Sequence, residues 1–243
     1  MSLLARLLNV FAIPGAVFQD IRESARHQPG SWIIPILLAT IVSSFTFGTI
    51  LSQPGILNEL KSKQTAVVNE QLAAGKIEQA EAEKSIRIIE QLSRPEIIHP
   101  LVGIGFFVIS VLRVAWWSFV LCLLARLFLK ERLNWLKAIE AAGLASMISI
   151  LGNIVFAILA FSIQTGSATG ITDTLQQLEL RNKSWPVILA SNGFNIWFVF
   201  LLATALARLM NVPLFRTLFL MMGTWLALQL GFGLLVAGFG FVK

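Results

Sequence analysis

The amino-acid sequence predicts an all-α integral membrane protein with five transmembrane helices. Its composition is the first observation: 56% of the 243 residues are hydrophobic, 13% are charged, and the mean hydropathy is +0.76. Soluble domains carry about 25% charged residues, so this chain lacks the polar surface that a water-soluble globule needs. The same composition excludes a disordered chain and argues against a soluble enzyme.

The second observation is a set of five long apolar runs, at residues 31–51, 97–129, 138–163, 187–210 and 214–242. A helix needs about 20 residues to cross the hydrocarbon, and backbone groups in lipid must be bonded within their own segment, so these runs are predicted helices. The second run is too long for one perpendicular crossing and too short for two. We expect it to cross over residues 108–129, with an apolar turn begun by Pro100 in the outer interface.

Two short amphipathic helices are predicted before the first span. The first has Arg6 among apolar residues that recur at helical spacing, namely Leu3, Leu4, Leu7, Leu8 and Phe11. Pro14 begins the second helix, which has Val17, Phe18 and Ile21 on one face. Narrow apolar faces of this kind are typical of helices that lie in the membrane interface. We therefore expect a cytoplasmic interfacial segment at residues 1–30 and a single five-helix membrane domain at residues 31–243.

An extramembrane α-hairpin is predicted between the first two spans, at residues 53–96. Apolar residues recur at helical spacing on both sides of a break at residues 73–75, and Pro95 ends the second helix. The glutamates of this loop are interpreted as its solvated face. A second loop, at residues 164–185, is polar, and one short helical turn is expected at residues 174–180.

Lysine and arginine placement predicts the orientation. With a cytoplasmic N-terminus each side receives nine of these cations, but four of them crowd the 12 residues from Arg126 to Lys137. The cations between the first two spans are spread among seven glutamates. Their density favours a cytoplasmic N-terminus and a C-terminus on the opposite side of the membrane. The net charge of +6 is explained by cationic flanks that meet anionic lipid headgroups, so no nucleic-acid partner is expected.

The sequence contains no recognisable catalytic motif: HExxH, GxSxG and a phosphate-binding glycine loop are all missing. His27 and His99 are expected near opposite faces of the membrane, where they could not share a metal. We therefore expect no enzyme activity and no catalytic, cofactor or metal site. The acidic residue closest to a span interior is Glu140, which is expected to pair with Arg126 or Arg132.

One charge is predicted to lie deep in the membrane. Arg113 precedes Arg126 by 13 residues, or about 20 Å along a helix. Polar residues of the other spans fall at a similar depth, about 18–23 Å from the cytoplasmic ends at 1.5 Å per residue. Together they form a candidate intramembrane polar layer: Arg113, Asn153, Asn195, Gln229, Ser43, Ser44 and Thr46.

Two interpretations of this layer are open. Its members could hold the helices together, because interhelical hydrogen bonds contribute about 0.6–2 kcal/mol each. Alternatively, the layer could bind an anion or a lipid headgroup, with Arg113 supplying the charge. The first interpretation predicts a non-enzymatic protein that organises membranes or acts as a scaffold through contacts with lipids or other membrane proteins. The second predicts a transporter or channel for a small solute or anion.

The order of features resembles the bacterial branch of the Yip family, the Ypt-interacting membrane proteins. Pro14 and Phe18 lie in a segment that leads through residues 29–32 (Pro-Gly-Ser-Trp) into the first span, which contains Pro35. A loop and four closely set spans follow, and the fourth span carries residues 195–197 (Asn-Ile-Trp). The small residues at 203–207 depart from the family pattern, in which a glycine tends to follow this element.

The resemblance covers nearly the whole chain and implies five membrane helices with a cytoplasmic N-terminus. Eukaryotic members bind small GTPases and shape or sort membrane vesicles, whereas bacterial relatives have no such GTPases to bind. The resemblance supplies no catalytic residues and no cofactor. The likeness to bacterial members implies a multi-pass protein of the bacterial inner membrane, with its C-terminus in the periplasm. We expect membrane lipids or other membrane proteins as its partners.

Overall fold

The computed structural model describes residues 1–51, 54–164 and 185–240, and every regular element within these ranges is an α-helix. The short turn expected at residues 174–180 lies outside the described residues. Five helical segments in the described part are long and apolar enough to cross a membrane, which confirms the predicted class. They are Gly30–Thr49, Glu96–Phe128, Trp135–Val155, Gly193–Met210 and Leu214–Gly231.

The helices follow one another along the chain as α1 (Leu3–Ala12), α2 (Pro14–Glu23), α3 (Gly30–Leu51), α4 (Pro54–Ala73), α5 (Gln79–Leu92), α6 (Pro95–Phe128), α7 (Trp135–Ala145), α8 (Met147–Gln164), α9 (Trp185–Met210) and α10 (Leu214–Gly240). The chain divides into two compact units. Unit 1 comprises residues 1–38, 110–152 and 191–243, and unit 2 comprises residues 39–109 and 153–190.

The second apolar run forms one helix rather than a turn followed by a helix. α6 begins at Pro95 and continues through Pro100, so the separate turn expected at Pro100 was wrong. Pro95 is the first residue of the helix, where its missing N–H has no helical partner to lose. Pro100 removes a single hydrogen bond near the helix start. Glu96 provides a polar residue in the first turn of the helix, and the residues after Pro100 are apolar. The helix therefore begins well before the crossing predicted at residues 108–129.

The third run contains a break that the hydropathy pattern did not predict. α7 ends at Ala145 and α8 begins at Met147, with Ser146 between them. The hydroxyl of Ser146 donates to the carbonyl of Gly143 at 2.6 Å. Serine side chains that bond to a preceding carbonyl compete with the regular helical ladder and bend the helix. Residues 135–155 still have the length and composition of one span.

The predicted hairpin between the first two spans is confirmed as α4 and α5, which pack against each other in unit 2. Between the two helices Gly75 has a φ of +66°, a left-handed conformation that glycine adopts without strain. Ala82 is the buried residue of α5, whereas Ile88 and Leu92 are exposed. An ion pair of 2.8 Å joins Lys63 to Glu59, one turn away on α4.

The core of unit 1 is built on the small residues of α7 and the apolar residues of α9. Ala138, Ala141, Ala142 and Ala145 are buried on α7, and buried residues on α9 include the 203–207 segment. A Cβ placed on Gly143 would lie 2.5 Å from the Cα of Trp32. Glycine at this position thus lets the backbones of α3 and α7 approach closely, as small residues do between membrane helices.

The two N-terminal helices form as predicted, but the apolar residues predicted for one face of α1 are not all buried. Val17, Phe18 and Ile21 of α2 are buried, which confirms the face predicted for that helix. On α1 the buried residues are Arg6, Leu7 and Val10, whereas Leu4 and Leu8 are exposed. The apolar residues of α1 are therefore divided between the protein core and the outer surface.

Arg6 lies at the centre of a buried ion network that joins α1, α2 and α7. Its side chain is fully buried, with Nε 2.7 Å from Asp20 Oδ2 and Nη1 3.2 Å from Glu140 Oε2. Nη2 donates to the Ser24 hydroxyl at 2.8 Å. Because a buried guanidinium is stable only when it is paired and hydrogen-bonded, these contacts fix α1 and α2 against α7.

Glu140 joins the same network from α7, so its expected pairing with Arg126 or Arg132 was wrong. Its Oε1 accepts a hydrogen bond from the backbone N–H of Gln28 at 2.8 Å and lies 3.2 Å from Nδ1 of His27. A carboxylate can only accept hydrogen bonds, so this geometry favours a proton on Nδ1. The segment between α2 and α3 is therefore anchored to the carboxylate that also holds Arg6.

The second carboxylate, Asp20, is stabilised in its ionised form. Burial alone would raise the pKa of Asp20, but hydrogen bonds from the ammonium of Met1 and from Arg6, with their charges, lower it below its ordinary value. A carboxyl whose pKa is depressed by folding contributes stability above its unfolded pKa. This contribution is lost as the pH falls through the folded pKa.

We predict that Arg6→Met strongly destabilises the protein. The substitution leaves the Glu140 carboxylate buried without its guanidinium, and breaking a buried pair in this way costs about 3–5 kcal/mol. Thermal unfolding of the purified protein in detergent measures this as a lowered Tm. The double variant Arg6→Met/Glu140→Leu, which removes both charges, is expected to recover part of the loss.

The matched control is Arg132→Met, which makes the same change at an exposed arginine. A surface substitution of this kind is expected to change stability by no more than about 0.5 kcal/mol. The buried network would be rejected as a stabilising feature if Arg6→Met lowered the Tm no further than this control.

Candidate functional site

The outer face of α1 is apolar and uncharged. Leu4 and Leu8 are 66% and 61% exposed, and Ile13, which directly follows the helix, is also exposed. The charged residue of this helix, Arg6, is turned inward and neutralised by Asp20 and Glu140. Apolar surface left in water costs about 25 cal/mol per Å². The face is therefore suited to contact with an apolar phase rather than with water.

Three hydrogen bonds bring separate connections of unit 1 to one end of that unit. Arg22 Nη1 donates to Asn211 Oδ1 at 2.9 Å, which places the end of α2 beside the turn between α9 and α10. Lys137 Nζ donates to the Arg22 carbonyl at 2.6 Å. Arg216 Nη2 donates to the Phe128 carbonyl at 3.0 Å, at the end of α6. We call this part of unit 1 the basic end.

The basic end takes its name from six exposed cations: Arg26, Arg126, Lys130, Arg132, Arg208 and Arg216. Within the described part of the chain, none of the six forms a salt bridge. Two exposed carboxylates, Glu23 and Glu131, lie in the same segments. The basic end therefore presents an excess of positive charge to its surroundings.

Two further side chains shape this end. Trp135, the first residue of α7, is 42% exposed and lies in sequence between Arg132 and Lys137. Tryptophan is enriched where membrane helices meet the headgroups. Arg208 lies over Gly15 at the start of α2, where a Cβ would come within 3.3 Å of its guanidinium. The glycine therefore leaves the room that the arginine side chain occupies.

The structure brings together two members of the predicted polar layer in unit 2. Asn153 Nδ2 of α8 donates to the Ser43 hydroxyl of α3 at 2.9 Å. Thr46 bonds instead to its own helix, at the carbonyl of Val42. The Ser44 hydroxyl is buried and has no hydrogen-bond partner in the described chain. These contacts make one interhelical bond between α3 and α8.

In unit 1 the charged member of the layer contacts an aromatic ring. The guanidinium carbon of Arg113 lies 4.7 Å from the centroid of the Phe198 ring, and Trp117 packs edge-on against that ring at 5.5 Å. Cation–π contacts contribute about 0.5–2 kcal/mol, more when the cation is shielded from water. The contact therefore offsets part of the cost of placing Arg113 within an apolar helix.

The remaining members of the layer, Asn195 and Gln229, are placed on α9 and α10 with exposed side chains. Asn195 lies three residues before Phe198, so both residues lie on the same side of α9. Arg113, Asn195 and Gln229 belong to unit 1, whereas Ser43, Ser44, Thr46 and Asn153 belong to unit 2. The layer as a whole stays a prediction.

Sequence reasoning missed the roles of Arg6, His27 and Phe198. A signal was present for Arg6, because one charge among closely spaced leucines on a short helix has to find a partner or water. Its partner Glu140 lies 134 positions away, and no local pattern connects the two. Phe198 carries no signal of its own, since it is one of many aromatic residues in apolar runs.

Among the described residues, no group of three or more His, Cys, Asp or Glu side chains could hold a metal ion. The arrangement instead offers three features: an uncharged apolar face on α1, a cationic end, and the guanidinium of Arg113 on α6 over the Phe198 ring of α9. Each of these is suited to contact with lipid, with an anion or with another helix.

Comparison with known proteins identifies the family. A model described as the Yip1 domain matches residues 8–237. No curated protein and no solved structure matches the chain. The matched region includes both N-terminal helices from Leu8 onward and all five candidate spans. The chain is therefore a member of the Yip1 domain family of membrane proteins.

Proposed function

We propose that this chain is a non-enzymatic protein of a bacterial inner membrane that organises the membrane through lipid contacts, with its N-terminus in the cytoplasm. The observation that carries the proposal is the outer face of α1, which exposes Leu4 and Leu8 while Arg6 is buried and ion-paired. Family membership supports a multi-pass membrane protein. The surface of α1 supports the lipid contact.

The physical argument concerns where such a helix is stable. α1 has 10 residues, which is about half the length needed to cross the hydrocarbon. It is tied by Arg6 to Asp20 and Glu140, so its outer face cannot rotate inward without breaking buried ion pairs. An in-plane position at the boundary between headgroups and acyl chains satisfies both conditions. In that position α1 occupies area in one leaflet, which is the physical basis of the proposed organising role.

A depth measurement tests the in-plane position of α1. In a Cys122→Ser background, Leu4→Cys and Leu8→Cys are labelled with an environment-sensitive fluorophore in vesicles of phosphatidylcholine. We expect blue-shifted emission that is quenched by brominated acyl chains, because both side chains face hydrocarbon. The control is Lys63→Cys on the exposed surface of α4, where the label should report water. Emission from Leu4→Cys equal to that of the control would contradict the proposal.

A reporter experiment tests the orientation. With five spans and the proposed cytoplasmic N-terminus, we expect a fusion after Lys243 to lie in the periplasm and an insertion at residues 132–137 to lie in the cytoplasm. The expected result is alkaline phosphatase activity from the C-terminal fusion and none from the insertion. An inactive phosphatase fusion after Lys243, or an active insertion at residues 132–137, would show that either the number of crossings or the orientation is wrong.

A transporter or channel is the second candidate function, and one observation favours it. Arg113 lies within an apolar span and forms no salt bridge with a described carboxylate. An uncompensated cation inside a membrane is often part of a solute or ion pathway. The cation–π contact with Phe198 is the competing explanation, since it gives Arg113 a structural partner.

A mutation series separates these two roles of Arg113. If Arg113 holds helices together, double-mutant cycles of Arg113→Leu with Phe198→Leu and with Asn195→Leu should show coupling of about 0.5–2 kcal/mol in detergent stability. If it serves solute passage, Arg113→Leu should leave stability unchanged and abolish saturable anion uptake in liposomes. Additive effects together with no uptake by the wild-type protein would reject both roles.

A further inference from the structure

Two charged surfaces in the described part of the chain differ in how their charges are arranged. In unit 2 the cations of the α4–α5 hairpin are interspersed with glutamates, and ion pairs join Lys63 to Glu59 and Arg87 to Glu83. In unit 1 the six exposed cations of the basic end form no salt bridge within the described residues. The six hairpin cations lie among seven glutamates, whereas the six cations of the basic end share their segments with two exposed carboxylates. Among the described residues, the excess of positive charge therefore lies at the basic end.

We propose that the basic end is a binding surface for the phosphate groups of anionic phospholipids in the leaflet that holds α1. This inference rests on the proposed function, because it takes the in-plane position of α1 as given. It adds the chemical class of the lipid and the residues that recognise it. Three cations carry the proposal in the test below: Lys130, Arg132 and Arg208.

Charge complementarity is the first argument. Each lysine or arginine held near an anionic leaflet raises the affinity roughly fivefold at physiological ionic strength. Arginine also presents a planar fork of donors that matches phosphate oxygens. Lys130 and Arg132 lie on the turn between α6 and α7, and the hydrogen bond from Lys137 to the Arg22 carbonyl ties the start of α7 to α2.

The exposed apolar side chains of unit 1 are the second argument, and they favour a lipid over a nucleic acid or an acidic protein. Leu4 and Leu8 expose hydrocarbon on α1, and Trp135 is exposed between Arg132 and Lys137 in the sequence. A surface that combines aliphatic, indole and cationic groups matches the boundary between acyl chains and phosphates. A nucleic acid would leave the aliphatic face in water.

The test compares lipid selectivity of the full-length protein in vesicles. Spin-labelled phosphatidylglycerol and spin-labelled phosphatidylcholine report the relative association of an anionic and a zwitterionic lipid. We expect the wild-type protein to associate more strongly with phosphatidylglycerol than with phosphatidylcholine. In the triple variant Lys130→Gln/Arg132→Gln/Arg208→Gln, the ratio of the two association constants should fall roughly tenfold or more. The matched control, Lys63→Gln/Lys84→Gln/Arg87→Gln on the α4–α5 hairpin, removes the same charge and should keep it.

A salt titration of the wild-type protein gives a second readout that needs no variant. The preference should fall as the ionic strength rises, because exposed charges are screened over about a Debye length. No preference in the wild-type protein, or an equal loss in the control triple variant, would overturn the inference. Binding of an RNA or an acidic peptide to detergent-solubilised protein with no lipid preference would likewise reject a lipid partner.

The outcome also distinguishes the inference from the proposed function. If the Leu4→Cys label is embedded in phosphatidylcholine vesicles but no anionic preference exists, only the inference fails. If the label reports water, the in-plane position of α1 fails, and the inference that rests on it fails as well.

Discussion

The packing of α1 and α2 against α7 in unit 1 depends on the buried pairing of Arg6 with Glu140. α1 is a short helix with one charge, and a guanidinium inside a protein must be paired to be stable. Glu140 and Asp20 provide that pairing from two different helices. Since both carboxylates contact the same guanidinium, the positions of α1, α2 and α7 are fixed together rather than separately.

The start of α7 is where most of these restraints meet. Glu140 also accepts from the backbone of Gln28, and Lys137, one turn earlier, donates to the Arg22 carbonyl. One turn later, Gly143 allows the backbone of α3 to approach at Trp32. The polar contacts of Lys137 and Glu140 fix how far the helices are shifted along their axes. The close contact at Gly143 fixes the distance between the axes. The alanines of α7 fit this arrangement because larger side chains would hold the helices apart.

The fold was largely predictable from sequence because its main signals are local. Hydropathy located the five spans, Pro14 separated α1 from α2, and the residues around Gly75 marked the turn of the hairpin. The errors arose where the deciding contact is remote or is made by a single side chain. The partner of Glu140 is Arg6, which lies on the N-terminal helix α1, and the break at Ser146 depends on one hydroxyl bonding to Gly143.

The candidate site was less predictable for the same reason. Equal depth along different spans suggested which polar residues could meet, and the bond between Asn153 and Ser43 joins two of them. Depth says nothing about the direction in which a side chain points. The guanidinium of Arg113 is placed over the Phe198 ring, and an aromatic residue was not among the polar partners that the depth argument considered.

The more deeply a cation of unit 1 is buried, the more completely its charge is compensated within the protein. Arg6 is fully buried and is matched by two carboxylates, because full burial demands opposite charge. Arg113 lies in an apolar span and is matched by an aromatic face, which provides partial compensation without a second charge. The exposed cations of the basic end have no protein partner of opposite charge in the described chain. A charge needs an oppositely charged protein partner only where it is removed from water. The exposed cations therefore stay available to groups outside the protein, which is the condition that the proposed contact with anionic phospholipids requires.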